Sequence, residues 1–182
     1  LDTREERRIT NQRGGDYHPT IYQDKIVWSG TRNYISDIYM YDLSNGEESK
    51  ITSDAYGQED PVIYEDKIIW ADYRNGNPDI YMYDLSERRE TKITSNSAIQ
   101  RFPDIYQDKI IWKDYWLVEQ DIYMHDLSTN LEIQITNHPK IEEWVNKLET
   151  SVKVNEDTYL IGHSIGCQAI MRYLEKLPNG KN

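Results

Sequence analysis

Short apolar and aromatic stretches alternate with turn residues along the first 136 positions, and they do so in register. Ile-Thr falls at Ile9-Thr10, Ile51-Thr52, Ile93-Thr94 and Ile135-Thr136, a period of 42 residues. Pro19, Pro61 and Pro103 keep that period, as do Trp28, Trp70 and Trp112. Asp-Ile-Tyr-Met begins at Asp37, Asp79 and Asp121, and Asp-Leu-Ser at Asp42, Asp84 and Asp126. Such self-similarity is the signature of a repeat architecture. Each unit predicts four short strands. In the second copy these are Pro61 to Tyr64, Lys67 to Trp70, Asp79 to Leu85 and Glu90 to Thr94. Glu65-Asp66 makes a tight turn, and Asp72 to Pro78 is a loop dense in turn residues. Alternation along the third strand puts Ile80 and Met82 on one face and Tyr81, Tyr83 and Leu85 on the other. A sheet apolar on both faces must be covered on both. Stacked propeller blades meet that need, because each blade packs between two neighbours.

The run Pro-x-Ile-Tyr-x-Asp-Lys-Ile-x-Trp, then Asp-Ile-Tyr-Met-x-Asp-Leu-Ser, then Ile-Thr resembles the TolB-like (WD40-like) β-propeller repeats, in the version found in archaeal surface proteins. The resemblance covers residues 1–136. It implies a binding or structural scaffold, often extracellular, and not an enzyme. Leu1 matches Leu43 in phase, so the chain is expected to open on the last strand of one blade, followed by three full blades. Closed propellers have four to eight blades. The segment is then a piece of a longer protein or half of a ring that self-association completes. The cluster Arg4-Glu5-Glu6-Arg7-Arg8 reads as a solvated edge strand.

The rhythm stops near Asn137, and residues 137–182 have other periods. Ile141, Trp144, Val145 and Leu148 mark one face of a helix beginning after Pro139. A short apolar strand, Thr158 to Ile161, leads into Gly162-His163-Ser164-Ile165-Gly166. Ala169, Ile170, Tyr173, Leu174 and Leu177 then mark a second helix. Strand, Gly-x-Ser-x-Gly, helix is the nucleophile elbow of α/β-hydrolases. Gly162 and Gly166 leave room for a strained strand-to-helix turn, with Ser164 at its tip and the Ile165 N–H facing a developing oxyanion. The expected fold is therefore mostly β, three four-stranded blades followed by a helix–strand–elbow–helix segment of an α/β-hydrolase.

Glu-Glu-Trp-Val-x-x-Leu, Asp-x-Tyr-Leu-Ile-Gly-His-Ser-Ile-Gly-Cys and Arg-Tyr-Leu-Glu resemble the small serine hydrolases of the YdeN and retinoblastoma-binding-protein type over residues 138–177. The resemblance implies Ser164 as nucleophile and Ile165 as first oxyanion donor, with His163 filling the elbow rather than acting as base. In these hydrolases the order is Ser, acid, His, yet no His or Asp follows Ser164 in this sequence. Without a base a serine is a weak nucleophile at neutral pH.

Composition adds limits. Residues 1–136 carry 15 basic and 26 acidic side chains and 13 of the 15 tyrosines, whereas residues 137–182 carry 6 of each charge. This step marks two unrelated pieces, and a fusion or assembly junction with neither half complete is one reading of it. A net charge of −11 argues against nucleic acid or an anionic membrane as main partner. No run of apolar residues is long enough for a transmembrane helix. Cys167 is the one cysteine, so there is no internal disulfide; it reads as a small buried residue, with a reactive thiol as the alternative.

Asp72, Asn75, Asn77 and Asp79 are hard-oxygen groups that suit Ca²⁺, but only the last recurs between copies, and turn capping is the preferred reading. His18, His125 and His138 have no metal-ligand spacing. The recurrent Trp and Tyr are expected in the core, while Tyr115 and Trp116, in the variable loop of the third copy, are the candidates for an exposed contact. The reading requires no metal and no cofactor. The leading expectation is a non-catalytic module that binds protein or carbohydrate at or outside the cell surface. The alternative is an esterase-like serine hydrolase built on Ser164, which points to the cytoplasm.

Overall fold

The structure, a computed structural model, describes residues 6–116 and 119–136. These belong to the first of the two units into which the chain divides, Leu1–Thr136 and Asn137–Asn182. Twelve strands form three antiparallel four-stranded sheets. Blade 1 holds β1 (Asp16–Tyr22), β2 (Lys25–Arg32), β3 (Ile35–Asp42) and β4 (Glu47–Lys50). Blade 2 holds β5 (Gln58–Tyr64), β6 (Lys67–Asp72), β7 (Asp79–Asp84) and β8 (Arg89–Lys92). Blade 3 holds β9 (Ile99–Tyr106), β10 (Lys109–Trp116), β11 (Glu119–Asp126) and β12 (Leu131–Gln134). Each is a meander with strands in chain order, the form of a propeller blade.

The turns follow from the repeat. Gln23, Glu65 and Gln107 take left-handed backbone, φ 50, 51 and 54°, and fold each first strand onto the second. The Asp of Asp-Leu-Ser closes the third strand onto the fourth: Asp84 Oδ1 accepts the Ser86 N–H at 2.9 Å, the Ser86 hydroxyl at 2.6 Å and the Glu87 N–H at 2.9 Å. Asp42 and Asp126 bind Ser44 and Ser128 in the same way.

Alternation decides the core. Ile68, Trp70 and Tyr81 turn toward blade 1 and pack with Val27, Ile38 and Ile63. Ile69, Ile80 and Met82 turn toward blade 3 and pack with Ile105, Ile110 and Trp112. Burying each large side chain contributes about 1.5–3 kcal/mol. Every repeat Trp stacks on the Tyr directly across the ladder, at 5.9 Å for Trp28–Tyr39, 6.2 Å for Trp70–Tyr81 and 6.0 Å for Trp112–Tyr123. These aromatics are therefore core. Tyr22, Tyr64 and Tyr106 meet at 4.9 and 5.3 Å, so the first strands of the three blades run together, while the fourth strands are largely exposed. Blade 3's Ile111 is 40% exposed where its counterpart Ile69 is fully buried.

Two features depart from the expected strands. Ile93 and Thr94 leave the fourth strand: the Thr94 hydroxyl accepts the Ile80 N–H at 2.8 Å and donates to Gln100 Oε1 of blade 3 at 3.0 Å. Thr52 does the same with Ile38 and Gln58. The Ile-Thr pair is thus the stitch from one blade to the next. Residues 6–10, expected as part of an edge strand, form no strand. A strand needs a ladder partner, and none of the three described sheets pairs with this segment. Ile9 instead packs on Trp28, Tyr39 and Tyr41, and Arg7 donates to the Tyr41 hydroxyl at 2.6 Å.

Candidate binding site

Each first strand carries a bulge before its proline. Ladder register slips between Tyr17 and Thr20, between Glu59 and Val62, and opposite Ile111 and Lys113. Proline has no N–H for the ladder, and the residue before it is left-handed in all three blades: His18 (φ 49°), Asp60 (φ 55°) and Phe102 (φ 54°). The bulge thus fixes one residue per blade in an unusual backbone state.

In blades 1 and 2 that residue is polar and tied. Asp60, buried, accepts from His18 Nδ1 at 2.8 Å and from Arg101 Nη2 at 3.1 Å, so one carboxylate joins three blades. Arg101 also pairs with Glu59 at 2.9 Å, and Glu59 accepts the Tyr73 hydroxyl at 3.2 Å. Burial, with the Glu59 charge second, pushes the Tyr73 hydroxyl up to about 12.

In blade 3 the corresponding residue is Phe102, and the surface opens. An apolar cleft of about 690 Å³ lies between Ser97–Ile99 and Tyr115–Trp116, with Arg101 and Phe102. Ile99 is 43% exposed, Phe102 47% and Trp116 54%. The 96–100 loop beneath is held firmly. Asn96 Oδ1 accepts the Ala98 N–H at 2.8 Å, Pro78 O accepts the Gln100 N–H at 2.9 Å, and buried Asp114 accepts from Asn96 and Gln100 at 3.1 and 3.2 Å. Two cations flank the Phe102 ring, Arg101 at 5.0 Å and Lys113 at 5.7 Å.

The matching positions of blade 2 carry different chemistry. One period earlier, Ile99, Arg101, Phe102 and Trp116 correspond to Gly57, Glu59, Asp60 and Arg74. Arg74 closes that end of blade 2 through Asp72 at 2.6 Å, Asp54 at 2.8 Å and Glu90 at 2.7 Å, and it lies over the Tyr81 ring at 4.4 Å. Hydrogen bonds that Arg74 donates to Asp72, and to a lesser degree to Glu90, hold its guanidinium above its usual range against the opposing effect of burial. Blade 3 carries exposed apolar groups one period after this ion-pair network, and there the strand runs on to Trp116 where β6 stops at Asp72.

Tyr115 and Trp116, expected as an exposed contact in a loop, instead end strand β10, where they pair with Gln120 and Glu119; both line this cleft, Tyr115 half-buried and Trp116 exposed. Ile99, Arg101 and Phe102 were not read from it; comparing the copies at positions 57 and 99, 59 and 101, and 60 and 102 exposes them. The acidic loop serves the fold. Asp72 accepts from Trp70 Nε1 at 2.9 Å and from Arg74, Asp79 accepts from Asn75 at 2.9 Å and Lys92 at 2.7 Å, and Asn77 donates to Ala98 O at 2.5 Å. Among the described residues no group of three or more His, Cys, Asp or Glu is placed to hold a metal ion. His125 is buried. Gly162, His163, Ser164, Ile165, Gly166, Cys167 and His138 lie outside the described residues.

A family model described as serine hydrolase matches residues 111–181. Its opening part, 111–136, coincides with β10 to β12 of the third blade, and the rest spans the Gly162-to-Gly166 motif. Solved structures share the bladed fold. TolB from Acinetobacter baumannii aligns over 70% of this chain and 34% of its own, at 20% identity and TM-score 0.60. A putative TolB from Agrobacterium tumefaciens aligns over 62% and 45%, at 18% identity and TM-score 0.56. An acylaminoacyl peptidase from Pyrococcus horikoshii aligns over 65% and 19%, at 19% identity and TM-score 0.53. The chain thus spans less than half the length of these structures. No curated protein matches it in sequence.

Proposed function

We propose that the bladed unit is a non-catalytic binding module whose contact surface is the blade 3 cleft. The observation that carries this reading is that blade 2's ion-paired Asp60 and Arg74 give way, one period later, to exposed Phe102 and Trp116. Phe102 lies on the face that the following blade covers in blade 2 and that is uncovered in blade 3 among the described residues, and an apolar patch on a rigid support is a common form of contact site. A place at or outside the cell surface accords with the resemblance of the repeats.

The second reading is an esterase-like serine hydrolase with Ser164 as nucleophile and the Ile165 N–H in the oxyanion hole. The family match over 111–181 favours it, and an acylaminoacyl peptidase carries the same blade fold in part of its chain. Chemically it needs a base to take the Ser164 proton and an acid to orient that base. Fluorophosphonate labelling of the folded 182-residue chain, with Ser164→Ala as control, separates the two. The binding-module reading expects no label. Labelling that vanishes in Ser164→Ala establishes an activated serine and overturns the non-catalytic assignment.

A further inference from the structure

Resting on the binding-module reading, we infer that the blade 3 cleft takes a partner polypeptide, which inserts an apolar side chain between Phe102 and Trp116 and sets a neighbouring carboxylate against Lys113. Three observations select this occupant. The first is the wall chemistry. Ile99, Phe102 and Trp116 present apolar surface, and the uncharged side-chain hydrogen-bonding groups lining the cleft are few: the hydroxyls of Ser97 and Tyr115 and the indole N–H of Trp116. Arg101 Nη2 is already taken by Glu59 and Asp60. A sugar ring presents hydroxyls on every edge, and burying them without partners costs about 1–3 kcal/mol each. An aliphatic or aromatic side chain carries no such cost.

The second observation is charge. Lys113 is exposed and forms no ion pair among the described residues, and its ammonium lies 5.7 Å from the Phe102 ring centroid. The corresponding residue in blade 2 is Ala71, fully buried. An unpaired cation beside an apolar cleft, on a unit whose net charge is strongly negative, complements an anionic group next to an apolar anchor. The third is preorganisation. The loop under the cleft is pinned through Asn96, Pro78 and Asp114, so an inserting side chain meets a surface already in place.

The test uses the full 182-residue chain and two probe sets: linear peptides selected from a random display library and then synthesised, and an oligosaccharide array. Three variants install blade 2's own residue, Phe102→Asp, Lys113→Ala and Trp116→Arg; the first two match the repeat backbone, and the third changes an exposed strand end. Circular dichroism and thermal melting confirm their folding. The expected result is a set of peptides sharing an apolar residue beside Asp or Glu. Phe102→Asp and Trp116→Arg should weaken their binding about tenfold or more. Lys113→Ala should remove most of the salt dependence of that binding. Selected peptides without an acidic neighbour, or with affinity unchanged in the folded variants, overturn the inference. An oligosaccharide whose binding is lost in Trp116→Arg overturns it as well, while leaving the binding-module reading standing. Absence of any probe binding that depends on Phe102 or Trp116 overturns both.

Discussion

The hydroxyl of Thr52, at the end of blade 1, donates to the side-chain oxygen of Gln58, at the start of blade 2, at 2.9 Å, and both residues are buried. The same hydroxyl accepts the Ile38 N–H at 2.9 Å. One oxygen therefore satisfies a backbone donor of one blade and a side-chain acceptor of the next. A buried polar group without a partner costs about 1–3 kcal/mol. Thr52→Val keeps the shape and removes the hydroxyl, which strands both partners. Its expected cost is about 2–4 kcal/mol in urea denaturation. Thr52→Ser, which keeps the hydroxyl, should cost about 1 kcal/mol or less. Equal losses in the two variants would mean that the methyl group, not the hydroxyl, joins the blades.

Trp70 and Trp116 separate core from site. Trp70 is fully buried, stacks on Tyr81 and donates its indole N–H to Asp72 at 2.9 Å. Trp116 is 54% exposed at the cleft rim. Trp70→Ala should cost about 3–5 kcal/mol, whereas Trp116→Arg should change stability by about 0.5 kcal/mol or less. A large loss of stability in Trp116→Arg would assign that indole to the core and remove it from the candidate site.

The blades were legible because their determinants are local and periodic. Trp28, Trp70 and Trp112 recur at strand positions that alternation sends inward, and the Asp-Leu-Ser turns carry their own cap. The Ile-Thr stitch was visible as a repeated pair, but its role was not, because the partner of Thr52 lies in the following blade and no local pattern names it. At the site, Tyr115 and Trp116 stood out because they break the repeat. Arg101 and Phe102 did not, because a Phe before Pro103 reads as an ordinary strand residue until the left-handed bulge turns it out. The elbow at Ser164 is a local motif, while a catalytic triad is assembled from distant segments, so the motif alone gives a nucleophile without its base.

The turn-capping aspartates set an acid limit. Hydrogen bonds from Ser44 and Ser86 hold Asp42 and Asp84 below the ordinary carboxylate value of 3.8, and Asp126 is lowered first by Lys109 and then by Ser128. A carboxylate with a lowered folded-state pKa contributes stability above its unfolded value and loses it as pH falls through the folded one. Stability should therefore be flat toward neutral pH and decline below about pH 4. Asp84→Asn should flatten part of that decline when unfolding is followed between pH 2 and 7. An unchanged acid slope would show that other carboxylates carry it.

Tyr73 sets the alkaline counterpart. Its hydroxyl is pushed up to about 12, first by burial and then by Glu59. A raised folded-state pKa gives stability that is complete below the unfolded value of about 10 and is lost as pH rises through the folded one. The chain should weaken between about pH 10 and 12, and Tyr73→Phe should weaken less over that window. Absorbance of tyrosinate during the titration reports whether one tyrosine ionises late. Loss of that late step in Tyr73→Phe assigns it.

Asp60 combines backbone strain with a charge that joins three blades, and a graded set of substitutions divides the two. Its φ of 55° suits Gly, Asn and Asp better than Ala. Its carboxylate accepts from His18 and Arg101. Asp60→Ala loses both the conformation and the acceptor, Asp60→Gly restores the conformation alone, and Asp60→Asn keeps the conformation and one neutral acceptor. Breaking a fully buried pair costs about 3–5 kcal/mol. Arg101 is 30% exposed and His18 60%, so solvent screening reduces the expected loss in Asp60→Ala to about 2 kcal/mol. The expected order of stability is Asp60, then Asn, then Gly, then Ala. If Gly equals the parent, strain rather than charge governs this position. If Gly equals Ala, the carboxylate does, and Arg101, freed from Asp60, should also shift the peptide affinity of the neighbouring cleft.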